Sequence, residues 1–292
     1  DLLKDINVNG ALKITGGLQA TSDPKIVFQK LPNIDFLIMG ESELVLKEIA
    51  DKIDSLDNIK DIKGLSFIKD NKVITNPRQN IISSLDIFSP YNYDIFDDQV
   101  FFRPYNGDVV RAVDYELSRG CIYSCSYCVE TVIQKYYGFE DSSSKTGAIK
   151  NFKSYLRNKS ANVIFDEISY LVKKKKINFI RCQDTNFLTN DRKILTELAN
   201  KIKKSNLDFK MYIETRPEGI NDLSVEILKD LKVDGVGMGI ELAAEDFREE
   251  SLNRFASQEK TILAFEILKK NEIKRTTYNV IGFPDQTEKS IL

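Results

Sequence analysis

Histidine is absent from this chain of 292 residues. Imidazole is the side chain that most readily exchanges protons near neutral pH, and it is also a frequent metal ligand. Its absence excludes histidine-based acid–base chemistry, Ser-His-Asp triads and histidine-ligated metals from the visible sequence. A metal site in this chain would take its ligands from other side chains.

The chain also lacks an excess of either charge and any long apolar run. Lys+Arg 42 against Asp+Glu 44 gives a net charge of -2, so we expect no nucleic-acid partner. No apolar run approaches the length of a membrane span, and no signal-peptide pattern stands at the start. We therefore expect a cytoplasmic protein without a transmembrane segment.

Cysteine is scarce, yet three of the four cysteines lie in one short stretch. Cys121, Cys125 and Cys128 have the spacing C-x3-C-x2-C, on a predicted loop that begins at Gly120 after an apolar strand. Four cysteines do not make a disulfide framework, and this grouping indicates a metal site in a reducing compartment. Thiolates hold iron–sulfur clusters, and a cubane held by three thiolates leaves one iron open to another ligand.

A structural zinc site is the alternative interpretation of these cysteines. Zinc in structural sites takes four ligands, usually cysteine and histidine. Cys182, at the end of a later predicted strand, is the one further thiol in the sequence. With that ligand the chain would be a zinc-stabilised binding or scaffold protein, and metal analysis would distinguish zinc from iron and sulfide.

Residues 1–85 alternate strand and helix patterns. One short strand ends at Gly16-Gly17, another ends at Gly40, and a helical pattern follows each turn. This order predicts a parallel sheet, and ligands of such sheets bind beyond the carboxyl ends of the strands. An antiparallel hairpin is predicted around the dipeptide Asp70-Asn71.

Residues 86–109 are predicted to form a surface linker, because prolines with Asp and Asn between them punctuate this stretch. The linker would separate residues 1–85 from a second domain, residues 110–292. The chain begins with Asp1 rather than Met, and its last residues resemble the start of a helix. We therefore expect a fragment of a longer polypeptide, truncated within the second domain.

Residues 110–292 predict five strands, each followed by a helix or by a loop and a helix. The economical arrangement is a full or partial (β/α) barrel, whose active site lies at the carboxyl ends of the strands. Residues 131–158, after the cysteine loop, are predicted to be irregular. The groups that follow the predicted strands, and would meet at one rim, are the cysteine loop, Gln183-Asp184, Glu214–Arg216, Glu241 and Gly282-Phe283-Pro284.

The cysteine spacing after the first strand of a partial barrel, with Tyr127 before the third cysteine, resembles the radical S-adenosylmethionine (SAM) superfamily. Further stretches resemble its cobalamin-binding-domain-containing subgroup: Gly16-Gly17, residues 36–43, residues 118–121, residues 239–241, residues 252–254 and residues 281–284. That subgroup includes methylases of unactivated carbon and the anaerobic cyclase of bacteriochlorophyll synthesis. The fold class implied is α/β, with part of a cobalamin-binding Rossmann-like domain before a partial TIM barrel of radical SAM type.

The resemblance implies that Cys121, Cys125 and Cys128 ligate a 4Fe–4S cluster whose open iron chelates SAM. One electron then cleaves SAM to a 5′-deoxyadenosyl radical, which abstracts hydrogen from substrate. The SAM contacts implied are Tyr127 near the adenine, Asp184 at the amino group, Arg216 at the carboxylate, Glu241 at the ribose or amino group, and Gly282 beside the adenine.

Cobalamin is the second cofactor that the resemblance implies, with Gly16, Gly17 and Gly40 letting the backbone approach its nucleotide tail. Two features depart from the family pattern. The usual Gly-Gly-Glu turn is replaced by residues 182–185, Cys-Gln-Asp-Thr, which is why the SAM amino group is assigned to Asp184. The Asp-x-His-x-x-Gly loop that supplies the lower cobalt ligand in many relatives is not in this sequence.

The function implied is C-methylation or another radical transformation of a small molecule that the sequence does not identify. An external one-electron donor such as a flavodoxin or ferredoxin would reduce the cluster. A radical SAM enzyme that binds no cobalamin is the alternative within the same class.

Overall fold

The structure is a computed structural model that describes residues 10–139, 147–284 and 286. These residues form two compact units. The first unit contains the described residues within Asp1–Ile82 and Tyr127–Ser142, and the second contains those within Ser83–Ser126 and Ser143–Leu292. This division differs from the predicted limits, because residues 86–109 group with the second unit and a later segment groups with the first.

The first unit is a small α/β sheet unit. Its elements are β1 (Ile14–Gly16), α1 (Leu18–Ser22), α2 (Pro24–Lys30), β2 (Phe36–Ile38), α3 (Glu43–Asp51), α4 (Leu56–Lys60), β3 (Leu65–Lys69), β4 (Lys72–Thr75) and α5 (Glu130–Tyr137). The strand order is β1-β2-β3-β4, with β1 and β2 parallel and each later pair antiparallel. The predicted sequence of strand, glycine turn and helix is confirmed for β1 and β2.

Local sequence signals set the turns of this unit. The Asp23 side chain accepts a hydrogen bond from the backbone N–H of Ile26 (3.1 Å), and Pro24 occupies the first turn of α2, where no N–H is needed. Asp70 and Asn71 both have positive φ (50° and 59°), as a two-residue hairpin turn requires. The predicted hairpin is therefore confirmed as β3 and β4.

Helix α5 corrects the prediction that the stretch after the cysteine loop is irregular. It buries Gln134 and Tyr137, and it ends at Gly138, which has the left-handed conformation (φ 78°) of a helix C-cap. Eight residues with mixed polarity give little periodic signal, so the pattern alone did not reveal this helix. Part of the same predicted stretch lies outside the described residues.

The second unit is a curled half-barrel with helices on one face. Its elements are β5 (Phe102–Tyr105), β6 (Asp108–Tyr115), β7 (Ser118–Arg119), α6 (Phe152–Tyr155), β8 (Arg157–Asn158), α7 (Ala161–Lys174), β9 (Phe179–Cys182), α8 (Arg192–Lys204), β10 (Lys210–Thr215), α9 (Asp222–Asp230), β11 (Val233–Glu241), α10 (Glu245–Glu250), α11 (Gln258–Lys270) and β12 (Lys274–Asn279). The main sheet has the order β12-β11-β10-β9-β6-β5. The predicted α/β class with a partial barrel is confirmed.

The five parallel strands β6, β9, β10, β11 and β12 are those that the sequence predicts. The sixth strand, β5, pairs antiparallel with β6 and lies within the stretch predicted to be a linker. The missed signal is Asn106-Gly107 between the two strands, with φ values of 52° and 88°. This dipeptide is a strong hairpin signal, but Pro104 and the surrounding polar residues obscured it.

Alternate residues along the parallel strands β6, β9, β10 and β11 face the helices. Val113, Ile180, Met211 and Val236 are each at most 3% exposed and belong to one core cluster with apolar residues of α7, α8, α9 and α11. Side-chain caps begin these helices at Ser160, Asp191, Asn221 and Ser257. Within the described residues, none of the helices is long and apolar enough to cross a membrane.

Candidate functional site

The cysteine loop follows β6 and β7 at the carboxyl edge of the half-barrel. Cys121 and Cys125 are buried (7% and 6% exposed), and Cys128 is half-buried. The backbone N–H of Tyr123 donates a hydrogen bond to the Cys121 sulfur (3.5 Å). Hydrogen bonds to sulfur are one means by which proteins adjust iron–sulfur clusters.

The segment after α10 holds one side of the cysteine loop. The Asn253 amide donates to the Ser124 carbonyl (2.9 Å) and lies 3.1 Å from its hydroxyl. The Ser126 hydroxyl donates to the Ser251 carbonyl (2.6 Å), and the Ser126 N–H donates to the Leu252 carbonyl (3.1 Å). Residues 252–254 resembled a family motif in the sequence, and these contacts give that motif a physical role.

The segment around Gly147 holds the other side of the loop. The Ser124 N–H donates to the Gly147 carbonyl (2.8 Å), and the Ile149 N–H donates to the Ile122 carbonyl (2.8 Å). At Gly147 a Cβ would lie 2.7 Å from the Asn253 carbonyl, so both holding segments pack on each other. The loop around Cys121 and Cys125 is therefore fixed by backbone contacts on both sides.

Asp184 is 1% exposed, and its carboxylate accepts hydrogen bonds from its own chain. One oxygen accepts from the backbone N–H groups of Leu117 (2.8 Å) and Ser118 (3.3 Å), and the other accepts from the Ser118 hydroxyl and the Asn190 amide (both 2.6 Å). These contacts join β9 to the turn that enters the cysteine loop. Contact of Asp184 with the SAM amino group stays a prediction, which this geometry disfavours.

Arg216 follows β10 and lies beside the cysteine loop. Its Nη1 is 3.7 Å from the Cys125 sulfur, and its guanidinium carbon is 3.7 Å from the centroid of the Tyr123 ring. Its Nε donates to Glu218 Oε1 (3.0 Å), and its Nη2 donates to the same oxygen. Burial lowers the pKa of Arg216, but the Glu218 carboxylate, together with Cys125 and Tyr123, raises that pKa by more, so Arg216 stays a cation.

Glu241 ends β11 with a positive φ of 65°, an uncommon conformation for a residue with a side chain. Glu241 is 8% exposed, and its carboxylate lies 3.8 Å from Arg254 Nη1. Arg254 also donates to the Gly239 carbonyl, and Gly239 leaves the space that the Glu241 side chain occupies. A strained backbone at a strand end is often functional, so Glu241 stays a candidate SAM contact.

Arg248 is a buried arginine close to Glu241 that the sequence did not single out. It is 1% exposed and donates to the carbonyl groups of Leu242 (2.6 Å), Ala243 (2.8 Å) and Ala256 (2.7 Å). These bonds fix the loop that leads from Glu241 to the Asn253 segment. A lone buried arginine gives no periodic signal, so only the structure reveals this role.

Two other predicted SAM contacts are more exposed. Tyr127 is 38% exposed. Gly282 has a φ of 92° with nothing within 4 Å of where a Cβ would stand, and its N–H donates to Gln286 Oε1 (2.6 Å). Their contacts with SAM stay predictions.

Cys182, the candidate fourth zinc ligand, is packed in the core of the second unit. It is 1% exposed, and burial raises the pKa of its thiol well above the ordinary value. It behaves as a small buried hydrophobic residue. Among the described residues, no three side chains of the metal-binding types converge closely enough to hold one ion.

A cavity of about 420 Å³ lies on the inner face of the half-barrel, opposite the helices. Tyr105, Tyr212 and Tyr278 form part of its wall, and the hydroxyl groups of Tyr212 and Tyr278 are 2.9 Å apart. Charged groups on the same wall include Asp114 and Arg181. Small-molecule sites of barrel proteins have this size and mixture of aromatic and polar lining.

In the first unit, the predicted cobalamin glycines lie where the parallel strands end: Gly16 is the last residue of β1, Gly17 comes next, and Gly40 comes shortly after β2. Gly17 has a φ of 93° with nothing within 4 Å of a Cβ position. Gly40 has a φ of 74°, and a Cβ there would lie 2.7 Å from the Tyr136 ring. The Gly40 N–H donates to the Thr21 hydroxyl (2.9 Å). Because tyrosine side chains crowd Gly40 and no atom crowds Gly17, the turn at Gly17 is the more open of the two.

The donor set suits a cubane cluster. Three thiols lie on one loop, and an arginine and a backbone N–H are directed at the sulfurs of Cys125 and Cys121. A cubane distributes three thiolates over three irons, so its ligands need not meet at one point. The half-barrel thus carries the loop with Cys121 and Cys125 at its carboxyl edge.

The sequence profile of the radical SAM superfamily matches residues 115–292. The chain belongs to the radical SAM superfamily, which confirms the resemblance seen in the sequence. Members of this superfamily use a 4Fe–4S cluster and SAM.

Sequence alignments with two relatives cover almost the whole chain. An uncharacterized methyltransferase of Pyrococcus horikoshii is 25% identical over 290 residues, which are 99% of this chain and 58% of that protein. The anaerobic magnesium-protoporphyrin IX monomethyl ester cyclase of Rubrivivax gelatinosus is 23% identical over 297 residues, covering 99% of this chain and 49% of that protein. The chain thus spans about half the length of the curated relatives it matches.

Solved structures share the fold. The radical SAM methyltransferase TsrM of Kitasatospora setae, with tryptophan and a SAM analogue bound, aligns with a TM-score of 0.72 at 15% identity. That alignment covers 95% of this chain and 51% of TsrM. The cobalamin-dependent radical enzyme OxsB, with aqua-cobalamin and SAM bound, aligns with a TM-score of 0.67 at 16% identity, over 92% of this chain and 36% of OxsB.

Proposed function

We propose that this chain is the core of a radical SAM enzyme whose 4Fe–4S cluster is held by Cys121, Cys125 and Cys128. The observation that supports this most is the cysteine loop, which backbone contacts fix on both sides next to a buried cation. Bound there, the cluster would deliver one electron that cleaves SAM to a 5′-deoxyadenosyl radical. The protein would bind and orient SAM and exclude water from the radical.

Glu241 is the best-supported SAM contact among the predicted residues. It is buried, it lies at the strand edge that barrel enzymes use, and its strained backbone directs it there. Its carboxylate would accept hydrogen bonds from the ribose or the amino group of SAM. Tyr127 and Gly282 would contact the adenine.

Cobalamin is the proposed second cofactor, with the backbone at Gly16 and Gly17 approaching its nucleotide tail. The open space beside Gly17 supports this assignment more than Gly40, where tyrosine rings fill the corresponding space. The names of the TsrM and OxsB relatives, one a methyltransferase and one cobalamin-dependent, favour methyl transfer as the reaction.

A small-molecule substrate would bind in the cavity walled by Tyr212 and Tyr278. An external donor such as a flavodoxin or ferredoxin would reduce the cluster.

Anaerobic reconstitution with iron and sulfide tests the cluster. The wild-type chain should retain both elements and, with dithionite and SAM, release 5′-deoxyadenosine. Cys125→Ala should lose iron, whereas Cys182→Ala, which removes an equally buried thiol from the core, should keep it. A protein that takes up zinc in preference to iron, or a Cys125→Ala variant that keeps its iron, would refute the proposal.

A separate measurement tests cobalamin. Reconstituted protein is mixed with hydroxocobalamin and desalted, and the retained visible absorbance is compared between the wild type and Gly17→Val, which fills the open turn. Retention by the wild type and loss in the variant are expected. If the wild type retains no chromophore but still cleaves SAM, the radical SAM enzyme without cobalamin is the correct alternative.

A further inference from the structure

We infer that the ion pair of Arg216 and Glu218 sets the reduction potential of the cluster through the Cys125 sulfur, so that Arg216 is a positioning and electrostatic residue. This inference rests on the proposed function, because it needs a cluster at the cysteine loop. It replaces the contact with the SAM carboxylate that the resemblance implied for Arg216.

The guanidinium is engaged on every side by its own chain. Its Nη1 points to the Cys125 sulfur (3.7 Å), while its Nε and Nη2 both bind one oxygen of Glu218. The Tyr123 ring lies against its flat face, 3.7 Å from the guanidinium carbon. A SAM carboxylate could pair bidentately with Arg216 only by displacing Glu218, so the geometry favours the sulfur as its partner.

The backbone below this pair is also fixed. The Arg216 N–H and the Thr215 hydroxyl both donate to Asn186 Oδ1 (3.3 and 2.8 Å), and Asn186 is 4% exposed. Pro217 begins a short 3-10 turn that brings Glu218 back to the guanidinium. Arg216 is 6% exposed, so breaking its ion pair with Glu218 would leave a buried charge without a partner, which is energetically costly.

Reduction of a cluster adds one negative charge near its thiolate ligands. A nearby cation stabilises the reduced form and raises the reduction potential, whereas a nearby anion lowers it. Arg216 has its charge directed at the Cys125 sulfur, and Glu218 lies behind it and partly offsets that charge. Removing one or the other should therefore shift the potential in opposite directions, which loss of packing alone would not do.

The experiment is a potentiometric titration of the reconstituted chain, without SAM, followed by electron paramagnetic resonance, with dithionite as reductant. Arg216→Gln should make reduction about tenfold less favourable, ~59 mV for a one-electron couple. Glu218→Gln should shift the equilibrium in the favourable direction by a similar factor. Arg216→Lys, which keeps the charge but not the two-sided contact, should fall between Arg216→Gln and the wild type.

Lys203→Gln and Asp230→Asn are matched controls. This exposed ion pair (3.0 Å) lies at the ends of α8 and α9, at the edge where the strands begin. Neither control should move the potential. If Arg216→Gln fails to hold a cluster, the Glu218→Gln and Arg216→Lys shifts still decide the inference.

Three outcomes are distinct. A wild-type chain that binds no cluster refutes the proposed function itself. A cluster whose potential is the same in the wild type, Arg216→Gln and Glu218→Gln refutes the inference alone. Weaker SAM binding by calorimetry in Arg216→Gln with an unchanged potential would also refute it, and would restore the SAM-carboxylate role.

Discussion

Replacement of Asp184 separates a structural carboxylate from a cofactor ligand. The structure gives both its oxygens to Leu117, Ser118 and Asn190, so we expect its loss to act mainly on stability. The resemblance expects it to act on SAM binding. Asp184→Asn and Asp184→Ala distinguish these alternatives, and Asp208→Asn, at an exposed position, is the matched control for the change of charge.

The magnitude follows from the hydrogen bonds. In Asp184→Ala the two backbone N–H groups and the Asn190 amide lose their acceptor in a buried place, at about 1–3 kcal/mol each and not additively, so we expect ~4 kcal/mol. In Asp184→Asn, the side-chain oxygen still accepts from the backbone, but the new amide nitrogen faces the amide nitrogen of Asn190. The Asn190 side chain cannot turn its oxygen toward the new nitrogen, because that oxygen already accepts a hydrogen bond from Asn158 (2.6 Å).

We therefore expect Asp184→Asn to cost ~2 kcal/mol, mostly from this donor–donor conflict. For a unit of about 150–250 residues, 1 kcal/mol shifts the unfolding midpoint by about 2–4 °C. Thermal unfolding should thus fall by ~6 °C in Asp184→Asn and by ~12 °C in Asp184→Ala, with no change in Asp208→Asn. An Asp184→Asn variant that melts with the wild type but loses SAM affinity in calorimetry would show this reasoning to be wrong.

Three further predictions follow from other contacts. Asn253→Ala removes the amide that holds the cysteine loop, at ~1 kcal/mol, and should lower the iron retained after reconstitution; full iron content would contradict this. Gly40→Ala should cost at least ~2 kcal/mol in chemical unfolding because a tyrosine ring fills its Cβ position, whereas Gly107→Ala, with positive φ but open space, should cost ~1 kcal/mol. Burial raises the pKa of Asp234, but hydrogen bonds from Lys274 and neighbouring groups lower it by more, so it lies below the ordinary 3.8. A carboxyl group whose pKa is lowered by folding stabilises the folded state at pH values above its ordinary pKa, and this contribution is lost as the pH falls through the lowered pKa. The ~0.5 kcal/mol cost of Asp234→Asn at pH 7 should therefore disappear when acid unfolding is followed below pH 3.8.

The fold was largely predictable because the parallel strands and their helices have strong, regular apolar periods. The exact bounds of α8, Arg192–Lys204, follow from the Asp191 cap and the lysines at its end. Short elements were missed, because the eight residues of α5 and the four of β5 are too few to show a period.

The candidate site was predictable only in part. The cysteine spacing and the strand-end position of Glu241 can be recognised from the sequence alone, because both depend on residues that are close together along the chain. The contacts of Arg216 with Cys125 and Tyr123 cannot, and neither can those of Asp184 with Leu117 and Ser118, since these partners are distant in sequence. The residue types at the strand ends thus indicate which side chains can reach the carboxyl edge of the half-barrel. Only the packing shows which of these side chains already have hydrogen-bond partners within the chain.

Strand β11 contributes almost no side chains to the inner face of the half-barrel. Gly235 and Gly237 stand at alternate positions there, and a Cβ on either would meet the rings of Tyr105, Tyr212 or Tyr278. The volume available to a ligand is therefore determined by tyrosine rings of β5, β10 and β12, which can be replaced by smaller side chains without altering β11. Replacing Tyr278 with a smaller residue offers a direct route to a variant that accepts bulkier molecules.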